Sequence, residues 1–226
     1  MAKEMGTVEI EGMEFTLFYD YDQLRDGNLT NLSEDGKIKW FNNRMEMVFL
    51  EPLRRIFNRD SVAHKELNSS PESDWPLSAI MTAAFSILLN GVEALGSFLH
   101  YSETYVHEYN RKRTKSYFAF RGFIQRYMKD WDVLVQGTFY KSSYLPEILW
   151  KYFRNGIAHA FVIRSGGIEY GTVPERWKIK WRGYLEIEPN IFFDDFLKGV
   201  TNFFEDAESR HQEVNFLPGF KAAYPC

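Results

Sequence analysis

Residues 77–99 read Leu77-Ser78-Ala79-Ile80-Met81-Thr82-Ala83-Ala84-Phe85-Ser86-Ile87-Leu88-Leu89-Asn90-Gly91-Val92-Glu93-Ala94-Leu95-Gly96-Ser97-Phe98-Leu99. Leu77, Met81, Ala84, Leu88, Val92, Leu95 and Leu99 follow one another in steps of four and three, the period of one helix face. The apolar stripe is broad, which predicts a helix buried on much of its circumference. The run from Leu77 to Leu89 contains Ser78, Thr82 and Ser86 and is followed by Asn90 and Glu93. It is too short and too polar to span a bilayer, so a central helix of a mainly helical fold is expected.

On either side of this helix the periods change. Upstream, Val8 and Ile10 alternate with polar neighbours, Glu11-Gly12 offers a turn, and Met13, Phe15, Leu17 and Tyr19 resume the alternation in the other phase. Asp26-Gly27-Asn28 and Asp35-Gly36 are further turn signals, so residues 1–40 read as a β-rich N-terminal extension. From Phe41 to Val62 the spacing is helical, with Pro52 predicting a break or kink. Segment 67–76 reads as a polar loop. Downstream, 103–129 reads as one or two helices and Trp131 to Ser143 as a crossing loop. Residues 161–170 read as a hairpin around Ser165-Gly166-Gly167, and Trp177 to Ile187 as strand. Pro189-Asn190 opens a last helix with Asn190 as N-cap, and the end of the chain looks extended from Pro218. The expectation is one domain over 1–226: a helical bundle over 41–210 with a β insertion near 161–187, and a tail over 211–226.

Phe, Tyr and Trp make up 17% of the chain, enough to fill a sizeable core without metals or disulfides. Cys226 is the single cysteine, which excludes an intramolecular disulfide and a multi-cysteine metal site. The first residues lack the apolar core of a signal peptide, so a cytoplasmic location and no membrane association are expected. The net charge of −4 gives no whole-molecule attraction to nucleic acid, so any such contact needs a local patch.

The stretch that carries chemistry is Arg154-Asn155-Gly156-Ile157-Ala158-His159. Leu145 to Phe153 reads as a helix leading into it. At about 100° per residue, Leu149, Trp150, Phe153, Ile157, Ala160 and Phe161 gather on one side. Asn155 and His159 then share the opposite side, with Arg154 on the flank. Most amphipathic helices use Glu and Lys for their polar positions, whereas this one offers a permanent cation, an amide and an imidazole.

These residues resemble the Arg-x(4–6)-His signature of the higher eukaryote and prokaryote nucleotide-binding (HEPN) superfamily, in which Asn is frequent straight after the arginine. The setting is similar too: the signature lies near the end of a late helix, with a small hairpin and one more helix to follow. The resemblance covers residues 77–207 and implies an HEPN-like helical bundle with a small antiparallel β element. It also implies a metal-independent endoribonuclease that leaves a cyclic phosphate, with its active site formed across a homodimer. A toxin or phage-defence role, and with it an antitoxin-like partner, goes with that reading. Other members of the superfamily are non-catalytic nucleotide-binding, RNA-binding or interaction modules, which is the alternative for this chain.

The residue types suit the cleavage. Attack by the RNA's own 2′-hydroxyl needs one group to take a proton and another to give one to the leaving 5′-oxygen, and histidine does either near neutrality. A guanidinium binds two oxygens of the charged transition state at once. In this reading Arg154 holds the phosphate, His159 is acid or base, and Asn155 orients. A two-fold pair supplies the second His159. The purely structural reading stands beside it. Arg154 would pair with a carboxylate such as Glu147 or with a helix-end carbonyl, and His159 would cap the helix end.

Glu93 lies off the apolar stripe of its helix and is a further candidate, because some members of the superfamily it resembles place an acidic or polar residue from an earlier helix against the signature histidine; its other reading is a solvated or interface glutamate. Arg111, Lys112, Arg113 and Lys115, with Tyr105, Tyr109 and Tyr117 nearby, resemble a grip for single-stranded RNA, or else a solvated loop. Lys178, Lys180 and Arg182 form a second basic row on one strand face, which equally suits edge protection. His64, His100, His107 and His211 lack ligand spacing, and no Gly-rich phosphate loop or paired-aspartate motif is present, so no metal and no cofactor are expected.

Overall fold

The central helix is where the sequence puts it, and it is more deeply enclosed than its stripe requires. The computed structural model describes residues 7–16, 28–57, 77–99, 115–140, 144–155, 166–168, 175–212 and 214–223. In chain order these form β1 (Thr7–Ile10), β2 (Met13–Thr16), α1 (Asn28–Asn31), α2 (Glu34–Arg44), α3 (Glu51–Phe57), α4 (Leu77–Gly96), α5 (Lys115–Tyr127) and α6 (Leu145–Ile148). Then come β3 (Gly166–Ile168), β4 (Trp177–Ile179), β5 (Leu185–Ile187), α7 (Pro189–Glu208) and α8 (Phe216–Ala223). The described structure is mainly helical, with one small antiparallel sheet and one small mixed sheet. No helix among the described residues is long and apolar enough to cross a membrane.

On α4, Phe85, Leu88, Leu89, Val92 and Leu95 are fully buried, and Met81 and Ala84 nearly so. Its closest neighbour is α5, with α3, α7, β3 and the helix after α6 also packed on it. The approach to α5 depends on Gly96: a Cβ there would lie 1.8 Å from the Ala119 carbonyl oxygen. Phe85 then meets Phe192 of α7 edge-on at 5.2 Å and Phe153 at 6.4 Å, tying the late helices to the centre. One buried apolar cluster runs without interruption from Ile10 to Phe220.

The N-terminal hairpin forms as its phase change predicts. Thr7 to Ile10 pair antiparallel with Thr16 to Met13. Glu11 (φ 53°) and Gly12 (φ 76°) both take the left-handed conformation that a two-residue hairpin turn demands. Residues 28–40 are a correction: they are helical, in α1 and α2, not strand and turn. Gly36 marks no turn. It sits in the first turn of α2, where its amide donates to the Ser33 N-cap hydroxyl at 3.0 Å. A side chain at Gly36 would come within 2.8 Å of the Glu11 carboxylate, so this glycine serves a close approach. Glu11 accepts from both the hydroxyl and the amide of Ser33, and those bonds hold its carboxyl below the usual range.

Of the break or kink expected at Pro52, the break is corrected. The helix runs on through it, and the irregularity is a π-helical turn at Met45–Leu50. There the Glu51 amide reaches back five residues to the Glu46 carbonyl. This widened turn shifts the carbonyl register by one residue just ahead of the proline, which has no amide hydrogen to give. A Glu46–Arg54 ion pair braces the same stretch.

The β insertion differs from a pure hairpin. β4 and β5 are antiparallel neighbours joined by a tight turn through Arg182 and Gly183, but β3 pairs parallel with β5. Gly166 and Gly167 are therefore strand residues opposite Leu185 and Glu186, not a turn. The first arm of the expected hairpin lies outside the described residues. Two ends are corrected as well. Glu188, not Asn190, caps α7, its side chain accepting from the Asn190 amide at 3.2 Å. The tail is helical from Phe216 to Ala223, with Phe216 and Phe220 buried.

α5 and α7 are pinned by polar contacts. Asp206 accepts from Arg126 Nη2 at 2.8 Å and from the Tyr127 hydroxyl at 2.9 Å, and Arg126 Nη2 also lies 3.0 Å from His211 Nδ1. Burial alone would raise the Asp206 carboxyl, but the bonds from Arg126 and Tyr127 outweigh it and hold the group below the usual carboxylate range. Asp195 behaves alike: burial opposes, and Trp131, Lys198 and Arg176 together win. A carboxyl depressed by folding adds stability above its unfolded pKa and loses it as pH falls through the folded value. Acid unfolding monitored by circular dichroism should therefore extend below pH 4, roughly the free carboxylate value, and Asp206→Asn should remove part of that acid dependence. A separate outcome concerns the α4–α5 contact. Gly96→Ala should cost roughly 2–3 kcal/mol by overpacking, seen as a melting temperature lower by about 5–10 °C.

Candidate functional site

The signature arginine stands where the helix after α6 changes its winding. Residues Leu149–Arg154 form a second π-helical turn, closed by the Asn155 amide bonding to the Trp150 carbonyl five residues back. Offsets of about 100° per residue do not hold through such a turn, so the sides drawn from the sequence shift here. Leu149 and Phe153 are buried against the core as expected, while Arg154 and Asn155 are half-buried.

Phe153 packs on Phe85, and two turns further along α4 stands Glu93. Arg154 Nη2 lies 2.9 Å from Glu93 Oε2, and the two side chains are 21% and 20% exposed. Arg154 Nη1 donates to Asn155 Oδ1 at 2.8 Å. The contact with Glu93 is a charge pair without hydrogen-bond alignment: Glu93 Oε2 and Arg154 Nε are both shut off from solvent and neither makes an aligned hydrogen bond. Three residues nominated by the sequence thus come together, in an arrangement the sequence did not specify. Glu93 meets the arginine, and Glu147 is not the partner of Arg154. His159 lies outside the described residues, as do His64, His100 and His107.

Of the basic run, only Lys115 falls among the described residues. Arg111, Lys112 and Arg113 lie outside the described residues, and Lys115 is the first residue of α5. Its neighbour Ser116 accepts from Trp150 Nε1 at 3.3 Å, and Tyr117 meets the Trp150 ring at 5.4 Å. The first turn of α5 therefore lies against Trp150, four residues before Arg154. By contrast, the second basic row forms only in part: Lys178 and Lys180 share a face and are paired with Glu186, and Arg182 leaves it. Only Lys178 of the three is in a strand, Arg182 is in the turn, and Lys178 and Lys180 sit 3.6 and 3.1 Å from Glu186.

Two features had no sequence signal. Arg121 of α5 is buried, its guanidinium 4.7 Å above the Tyr144 ring just before α6. The Arg126–Tyr127–Asp206–His211 cluster joins residues about 80 positions apart, beyond any spacing rule. Among the described residues no three His, Cys, Asp or Glu side chains gather as a metal site. The exposed side of α4 carries Ala83, Ile87, Asn90 and Ala94, a row without charge beside Glu93. Ile87 is 48% exposed.

Comparison with known proteins finds no matching family model, no matching curated protein and no matching solved structure.

The charge pair is partly buried and should couple the two helices. In a double-mutant cycle of Glu93→Gln and Arg154→Gln, followed by urea unfolding, the coupling should be about 1 kcal/mol. A value near zero would mean that the pair does not hold the arginine.

Proposed function

We propose that this chain is an HEPN-like endoribonuclease that works as a pair of identical subunits, cleaving RNA without a metal. The observation that carries the reading is the placement of Arg154. Glu93 and Asn155 hold its guanidinium on a π-helical turn, a feature frequent at functional sites. The start of α5, where the basic run ends, lies beside the same helix.

In this reading the phosphate of an RNA linkage docks on the terminal nitrogens of Arg154. The guanidinium stabilises the charge that grows as the 2′-hydroxyl attacks. His159, four residues beyond Asn155, takes the hydroxyl proton or protonates the leaving 5′-oxygen, and the second His159 of the pair does the other task. The products are a 2′,3′-cyclic phosphate and a free 5′-hydroxyl. Pairing is supported by the uncharged exposed row of α4, which brings no like charges together across a two-fold axis. A toxin or defence role, held in check by an antitoxin-like partner, fits such an activity.

A second reading draws on the ion pair itself. Arg154 already has a carboxylate and an amide oxygen as partners, which suits a binding module or a structural brace equally well. The experiment that separates them is incubation of RNA with the protein in excess EDTA, with the product ends analysed. Cleavage with cyclic phosphate ends, falling about a hundredfold or more in His159→Ala, supports the nuclease. RNA binding without turnover supports the module. Pairing has its own test: Ile87→Glu should shift sedimentation to the monomer and abolish cleavage while leaving the circular dichroism spectrum unchanged. A variant that stays paired would remove α4 from the interface.

A further inference from the structure

We infer that Glu93 determines the charge of the ligand Arg154 accepts, favouring a singly charged phosphodiester over a doubly charged phosphate monoester. The inference rests on the reading that Arg154 receives a phosphate group, and it goes further by separating internal RNA linkages from nucleotides with terminal phosphates.

Arg154 Nε is sealed from solvent, so an incoming oxygen reaches only the two terminal nitrogens. Nη1 already gives one hydrogen to Asn155 Oδ1 at 2.8 Å, and Nη2 lies 2.9 Å from Glu93 Oε2. Each terminal nitrogen carries a second hydrogen, so a ligand can bind beside these partners. Any phosphoryl oxygen on Nη2 is then a near neighbour of the Glu93 carboxylate. Glu93 is the one charged residue among the twenty of α4, and it sits within that helix on an ordered, one-fifth-exposed side chain. The pair of Arg154 and Glu93 sums to zero charge. A phosphodiester brings one negative charge to it, and a monoester near neutral pH brings almost two. The second charge meets the Glu93 carboxylate at short range, where partial burial weakens screening. Glu93 acts here through charge and position, not by touching the scissile bond.

The test uses the whole protein and a fluorescein-labelled 2′-O-methyl RNA hexamer, which lacks the attacking hydroxyl. Displacement is measured with 2′-O-methyl ApA as the diester and adenosine 5′-monophosphate as the monoester. Glu93→Gln should tighten monoester binding by about tenfold, on the scale of a typical site coupling, and diester binding by far less. Glu93→Asp keeps the charge and should keep the wild-type preference. If Glu93→Gln shifts both ligands equally, or neither, the inference falls. If Arg154→Gln leaves hexamer binding unchanged, it is the phosphate role of Arg154 that fails instead. Should Glu93→Gln not fold, the wild-type protein still decides the matter. Lowering pH from 7.5 to 5.5 protonates the monoester through its second ionisation near pH 6. The monoester should then gain on the diester, and an unchanged ratio of the two affinities would overturn the proposal.

Discussion

The enclosure of α4 is the constraint on which the remaining structure depends. Five of its side chains are wholly withdrawn from solvent, and partners close on it from several directions. Such a helix must be small where a backbone comes near and bulky where space is open. Gly96 meets the first demand against Ala119, and Phe85 meets the second between Phe153 and Phe192. Interiors are packed to crystal-like density, so these fits also fix the angle at which each neighbour arrives. The position of Arg154 is set in turn, because it is the residue after Phe153 and moves with it.

Two π-helical turns lie against this centre, at Met45–Leu50 and Leu149–Arg154. Each places one residue more in a turn than regular winding would, and so re-aims the residues beyond it. In the first case the helix passes Pro52. In the second the arginine reaches Glu93 of α4, with the asparagine bonded to the arginine. The same local device thus serves continuity in one place and the aim of polar groups in another. Widened turns are costly unless packing compensates, and both have large aromatic side chains at hand: Phe49 against Phe196 and Phe153 against Phe85.

Charge divides between framework and site. Two of the acidic groups held below their ordinary range, Asp195 and Asp206, pin α7 to its surroundings. They belong to the framework. The Glu93–Arg154 pair has a different character, since its atoms are close but poorly aligned, leaving a buried donor and a buried acceptor without hydrogen bonds. What sets this pair apart from the Asp206 cluster is the guanidinium's two terminal nitrogens, each of which keeps a second hydrogen for an incoming oxygen.

What the sequence determined by itself was periodic or local. The four-and-three spacing of Leu77 to Leu95 marked the central helix, the phase change about Glu11-Gly12 marked the hairpin, and Pro189 marked the start of α7. Each rests on residues a few positions apart, which is the range over which backbone geometry acts. Glycine misled that kind of reading at Gly36 and at Gly166-Gly167. The first sits in the first turn of α2 beside the Glu11 carboxylate, and the second lies in a strand beside β5, contacts made by distant chain segments. The helical tail was missed because Phe216 and Phe220 find their burial on other elements. Arg154, Asn155 and Glu93 could each be picked out by residue type and place on a helix. Their meeting could not, because 61 positions separate Glu93 from Arg154 and only the packing of Phe85 on Phe153, with the widened turn beside it, brings carboxylate and guanidinium together.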